Sequence, residues 1–222
     1  MNFKKTSLLM GLSSILLITI VQENAYAEDK VKTTDGKIEI LTGDGTEVIP
    51  PIEEPSEPGT GDKGPLSLDY ISNLDFGKIK LSSGETTTKV SGPTDPEGNM
   101  LTKGLQVSDL RGTGAGWKVS IGLSAFSGTE DQTHTLKGAK VVLPEGAITT
   151  NNEDKKNGPV SNAKTIEAGG DASTIFIANK NQGMGTWFSK WDPEEVKLVV
   201  PGGQYADKYT AKLTWTLSDT PE

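Results

Sequence analysis

The residues with the types and spacing to recognise another molecule cluster in GMGTWFSKWDP, residues 183–193. Trp187, Phe188 and Trp191 fall within five residues there, with Lys190 beside them. Aromatic faces stack on sugar rings, and aromatic side chains anchor protein interfaces. The glycines of this string argue against a steady strand. Two readings follow: an exposed contact loop, or a loop folded back to plug the end of a domain. Trp191 is expected outside more readily than Trp117 or Trp215. A second contact chemistry sits in DLRGTGAGW, residues 109–117. Arg111 is the only arginine among 22 lysines and arginines, which suggests a role for planar, bidentate geometry. Asp109, two residues earlier on the same strand face, can pair with it. A structural Asp–Arg clamp and a grip on a ligand carboxylate or phosphate are both open. Gly112, Gly114 and Gly116 permit tight backbone turns.

Groups that transform a substrate are scarce. The chain has no cysteine, and its one histidine, His134, stands in the polar string TEDQTHT as a surface residue. Glycosidases need only two acids, but no acidic pair stands out, so no enzymatic activity is expected. Asp95, Glu97 and Asn99 alternate in TDPEGN like oxygen ligands for Ca²⁺. The rest of a calcium loop is missing, and an ordinary turn is the simpler reading. No cofactor is expected, and calcium is left open. A formal charge of −8 with few basic clusters argues against nucleic acid.

The elements that must position these groups fall into three parts. Residues 1–27 run from the basic MNFKKTS through the apolar LLMGLSSILLITIV to QENAYA, the order of a secretory signal peptide. A spanning helix needs about twenty apolar residues, so no membrane span is expected after cleavage. Secretion without disulfides points to a bacterial exporter. No cysteine stands at the cleavage site to carry a lipid, and LPEGA at 143–147 lies mid-domain, so covalent attachment to the cell is not expected. Residues 28–64 hold ten acidic and four basic residues and end in a Pro/Gly cluster. Too few large apolar groups are present there to offset ordering entropy, which predicts a disordered spacer. A short strand in KIEIL and a polyproline motif in IPPIEEPSEP are the sharper alternatives.

Residues 65–222 are long enough for one domain with a sizeable core. Apolar residues recur there every second position, between turn signals such as SGPTDPEGN, NNEDKKNG and VPGGQY. The pattern predicts an all-β domain, an antiparallel β-sandwich of about eight strands, immunoglobulin-like or Greek-key in character. Predicted strands are LSLDYI, GKIKL, KGLQVSDL, GWKVSIGL, TLKGAKVVL, DASTIFIAN, EVKLVV and DKYTAKLTWTL. Two of them carry tryptophan. Alternate side chains point to opposite faces of a strand, which puts Trp117, Val119, Ile121 and Leu123 on one face. The same count groups Leu213, Trp215 and Leu217. Both tryptophans are therefore read first as core, where Trp→Ala costs about 3–5 kcal/mol of a total stability of about 5–15 kcal/mol.

The ending YTAKLTWTLSDTP, together with DLRGTGAGWKVSI, resembles the WxL domain family of Gram-positive cell-surface proteins. LDFG at 74–77, HTLKGAKVVL at 134–143, GMGTW at 183–187 and VPGG at 200–203 extend the likeness over about 66–221. The upstream motif departs from the pattern, reading Trp117-Lys118-Val119 rather than Trp-x-Leu. Valine serves a buried strand position as well as leucine, which fits a core role. The resemblance implies a domain attached non-covalently to the Gram-positive cell wall, with peptidoglycan as ligand. It also implies a neighbour, a membrane-anchored protein with immunoglobulin-like domains, whose capture would make wall association indirect.

Overall fold

Short alternating runs broken by Gly, Pro, Asn and Asp offer no apolar stripe of helical period. The structure, a computed structural model, describes residues 32–219, and the described residues contain no helix. The chain divides into two compact units, Met1–Glu39 and Ile40–Glu222. In the first, the described residues 32–39 are exposed and form no strand, and the leader expected over 1–27 lies outside the described residues. The described residues of the second unit form fourteen strands. They are β1 (Leu66–Ile71), β2 (Thr86–Lys89), β3 (Lys103–Asp109), β4 (Trp117–Leu123), β5 (Ser127–Gly128), β6 (Lys140–Leu143) and β7 (Ala147–Thr150). β8 (Val160–Ser161), β9 (Lys164–Glu167), β10 (Ser173–Ala178), β11 (Gly185–Trp191), β12 (Lys197–Val200), β13 (Tyr209–Thr210) and β14 (Leu213–Ser218) complete the set.

The strands form an all-β, antiparallel sandwich. Its sheets have the orders β1-β3-β11-β7, β14-β4-β10-β8 and β2-β12-β6-β9, with a small pair β13-β5. No strand pairs with its neighbour in sequence, so every ladder closes a long loop. Inward side chains of the three four-stranded sheets share one apolar core. In β4 burial alternates as the period-two pattern requires: Trp117, Val119, Ile121 and Leu123 are inside. Trp117 is fully buried, edge-on to Phe176 with centroids 5.0 Å apart. β14 keeps the same alternation, yet Leu213, Trp215 and Leu217 are only half-buried. β14 ends its sheet and has β4 on one side alone, so its apolar face packs on the core without being closed over.

Three expectations change. Fourteen strands stand where about eight were expected, because short strands such as β2, β7 and β9 carry few apolar residues. GKIKL forms no strand and exposes Ile79 and Leu81. GMGTWFSKW does contain a steady strand, β11, buried between β3 and β7. Its glycines belong to a turn: Gly183 and Gly185 have φ of 69° and 84°, and the extended run begins where they end.

Part of the segment expected as a disordered spacer, residues 42–60, is held against the outer face of the first sheet. Gly43 N donates to Leu110 O at 3.0 Å, and Ile52 N to Gln106 Oε1 at 2.8 Å. Gln106 Nε2 donates back to Pro50 O at 3.1 Å, and Thr60 N donates to Asp69 O at 2.8 Å. Lys103 Nζ, almost wholly buried, donates to Glu57 Oε1 (2.8 Å), Ser56 Oγ (3.0 Å) and Asn73 O (3.1 Å). Polar satisfaction holds this segment, which is why a count of large apolar groups does not find it.

Candidate functional site

Indole N–H groups hold the turn that precedes β11. Trp117 Nε1 donates to Gly183 O at 3.0 Å, and Trp187 Nε1 donates to Met184 O at 2.8 Å. A Cβ at Gly183 would sit 2.8 Å from Trp117 Nε1 and collide with Ala178, so only glycine lets the turn close over the tryptophan. The loop between β7 and β8, residues 151–159, is tied to the same turn. Asn152 Nδ2 donates to Met184 O at 2.8 Å, and Gly183 N donates to Asn157 O at 2.8 Å. Thr150 Oγ1 donates to Thr186 O at 2.6 Å and accepts from Asn152 N at 3.1 Å. Asp154 folds the loop on itself by accepting from Lys156 N (2.9 Å) and Asn157 Nδ2 (3.3 Å).

Two clefts open on either side of Trp187. One, of about 320 Å³, is lined by Ile148, Thr149, Lys155, Lys156, Pro159 and Trp187. The other, of about 350 Å³, is lined by Asn152, Asp154, Asn157, Asn181, Met184 and Trp187. Apart from Trp187, none of these residues stood out in the sequence. For Asn152, Asp154, Lys155, Lys156 and Asn157 the only signal was the turn composition of NNEDKKNG, which says nothing about what the turn faces.

The aromatic residues expected to grip are interior. Trp187 is 3 % exposed, Phe188 0 % and Trp191 2 %. Trp191, expected outside, stacks within the sandwich on Trp215, with centroids 6.1 Å apart. Against Trp215 the expected order of exposure is reversed, because β11 is an inner strand and β14 an end strand; Trp117 is buried as fully as Trp191. Phe188 points to the opposite face and stacks on Tyr70 at 5.6 Å. Lys190 is exposed and pairs with Glu53 Oε2 at 3.0 Å. Arg111 meets Asp109 in a bidentate pair, Nε to Oδ1 at 2.9 Å and Nη2 to Oδ2 at 2.8 Å. Its Nη2 also donates to Gly116 O at 2.7 Å, so the guanidinium closes the loop between β3 and β4. His134 is less solitary than its sequence context suggests. Its ring stacks on Tyr205 at 4.3 Å, and its Nδ1 lies 3.0 Å from Asp207 Oδ2. Asp95 and Asn99 bond each other across a turn, Asn99 Nδ2 donating to Asp95 Oδ2 at 3.0 Å.

A protein-family model described as "WxL domain surface cell wall-binding" matches residues 27–221. The chain belongs to the WxL domain family. No curated protein and no solved structure matches it significantly. Membership places the protein at the cell surface, as a domain of a wall-binding family. The matched range includes the bound segment at 42–60 as well as the strands. Within this WxL domain the two motif tryptophans have unequal tasks: Trp117 holds a turn from inside the core, and Trp215 covers the core at an open edge.

Two carboxyls near these elements are held below their usual range. Burial pushes Glu53 up, but the Thr149 hydroxyl and the Lys190 ammonium more than offset it. Thr149 Oγ1 does this by proximity, since it makes no hydrogen bond of good geometry. Burial likewise opposes ionisation of Asp207. The bond from His134 and backbone N–H groups of Glu130, Asp131 and Lys208 prevail and bring it down to about 2.

Proposed function

We propose that this WxL domain anchors an exported protein non-covalently to the wall of a Gram-positive bacterium by binding peptidoglycan directly. The observation that carries the reading is the family match over residues 27–221, whose description is wall binding at the surface. The pair of clefts supports it with a concave, prearranged surface of mixed polarity, the usual character of a ligand site. The test is co-sedimentation of the exported chain with purified, protein-free sacculi. Saturable sedimentation that soluble muropeptides reverse is expected. A chain that stays in the supernatant at every wall concentration would sink the proposal.

The second reading, docking on a membrane-anchored partner with immunoglobulin-like domains, has its own observation in its favour. Among the described residues β14 has no strand beyond it, and its half-buried Trp215 and Leu217 lie along that edge. An open edge of this kind accepts a strand from another protein. Sedimentation that requires the partner's ectodomain is the outcome that favours docking over direct binding.

A further inference from the structure

The clefts beside Trp187 share a wall, a loop and a means of support. Both are lined by residues of the loop 151–159 and by Trp187, the first with β7 and the second with the turn at 183–185. The bonds from Trp117 and Trp187 into that turn fix its two carbonyls, and Gly158 packs against the Trp187 ring, where a Cβ would come within 2.8 Å. The surface is prearranged, which lowers the ordering cost of binding.

Their chemistries differ in a useful way. In the second cleft Asn152 and Asn157 each use one amide N–H, on Met184 O and Asp154, which leaves each a second N–H and an amide oxygen to offer. The Asn181 side chain makes no hydrogen bond among the described residues, so it offers both a donor and an acceptor. Exposed Met184 adds an apolar face beside these amides. Amides with a soft apolar contact suit a neutral sugar bearing an acetamido group. In the first cleft the ammonium groups of Lys155 and Lys156 make no ion pair among the described residues. The backbone edge of β7 runs beside them, and β11 occupies its other edge. A free strand edge next to two cations suits an extended peptide carrying carboxylates. Trp187, at 3 % exposure, lines both clefts and offers no stacking face.

We propose that the two clefts form one subsite for an acidic glycopeptide, with the acetamido sugar among Asn152, Asn157, Asn181 and Met184 and the peptide carboxylate at Lys155 and Lys156. The assignment rests on the direct wall-binding reading and adds to it where the polymer sits. The subsite reads the sugar by hydrogen bonds and the peptide by charge. It therefore discriminates a glycopeptide from a bare glycan.

The test titrates the exported chain with a purified muropeptide bearing a free peptide carboxylate, and with a neutral disaccharide of two acetamido sugars. The variants are Lys155→Gln/Lys156→Gln and Asn181→Gly, all at exposed positions; glycine accepts the φ of 65° that Asn181 adopts, so their melting should match wild type. Loss of the two charges is expected to weaken the muropeptide by about tenfold, the scale of a charge-assisted hydrogen bond, and to leave the disaccharide unchanged. Asn181→Gly is expected to weaken both ligands. Wild-type binding to sacculi with both variants equal to wild type would overturn the subsite while sparing the wall-binding reading. Failure of wild type to bind either sacculi or muropeptide would overturn both. Binding of a teichoic-acid phosphate in preference to the muropeptide would overturn the assignment of ligand class.

Discussion

Replacing Trp117 with phenylalanine separates the two tasks that a Trp-x-aliphatic motif can have. A six-membered ring stays in the core near Phe176, while the outer benzo half of the indole and its Nε1–H are lost. That N–H serves Gly183 O at 3.0 Å in a fully buried setting. Leaving a buried carbonyl without its donor costs about 1–3 kcal/mol, and the lost ring volume adds about 1 kcal/mol of transfer and cavity terms. The sum, about 2–4 kcal/mol, lies inside a stability of about 5–15 kcal/mol, so the domain should remain folded. At about 2–4 °C per kcal/mol for a domain of this size, melting followed by circular dichroism should fall by about 5–15 °C. With the turn at 183–185 no longer pinned, binding to sacculi well below the new melting point should weaken as well. A variant that melts and binds as wild type would refute the claim that this bond positions the turn. Unchanged melting with abolished binding would refute it differently, by showing that the indole itself meets the ligand. Trp117→Ala cannot make this distinction, since its core penalty alone threatens the fold.

Three further outcomes follow from the geometry. Asp207 is held down at about 2 by His134 and three backbone N–H groups, so its stabilising contribution is complete above its unfolded value near 3.8 and is lost as pH falls through about 2. Acid denaturation of Asp207→Asn should lack that part of the wild-type slope, and an identical slope in both would contradict the assignment. Lys103→Met leaves Glu57 without its buried partner and should cost about 3–5 kcal/mol in urea titration. Adding Glu57→Gln should recover part of this loss, whereas additive losses would mean the pair does not couple residues 42–60 to the sheet. Gly104→Ala would place a Cβ onto Ser189 O and Phe188. A penalty of about 3 kcal/mol or more is expected, to be read from the urea midpoint.

The sequence made the period-two strands legible because each has a buried face, and β4 shows it position by position. It also showed that Trp117 belongs inside. What it could not show was a strand's place in its sheet. Trp191 and Trp215 have the same local pattern, and only the neighbours of β11 and β14 decide that one is closed over and the other half-open. The segment at 42–60 was missed for a different reason: polar groups such as Gln106, Lys103 and Asp69 hold it, and one-dimensional apolar counts are blind to such partners. Burial raises the Asp69 carboxyl against bonds from Ser108, Ser67 and Gln106, which shows how deeply polar that outer face becomes. The clefts were illegible because Lys155, Asn157 and Asn181 are ordinary turn residues until the fold brings two distant loops together around Trp187.

The central claim, that a surface built on buried tryptophans holds peptidoglycan directly, is tested most directly by sedimentation of the purified exported chain with sacculi stripped of protein and teichoic acid. Saturable binding without any partner, displaced by soluble muropeptide, is expected. A chain that remains soluble with these sacculi and sediments only when a membrane-anchored partner is supplied would contradict it.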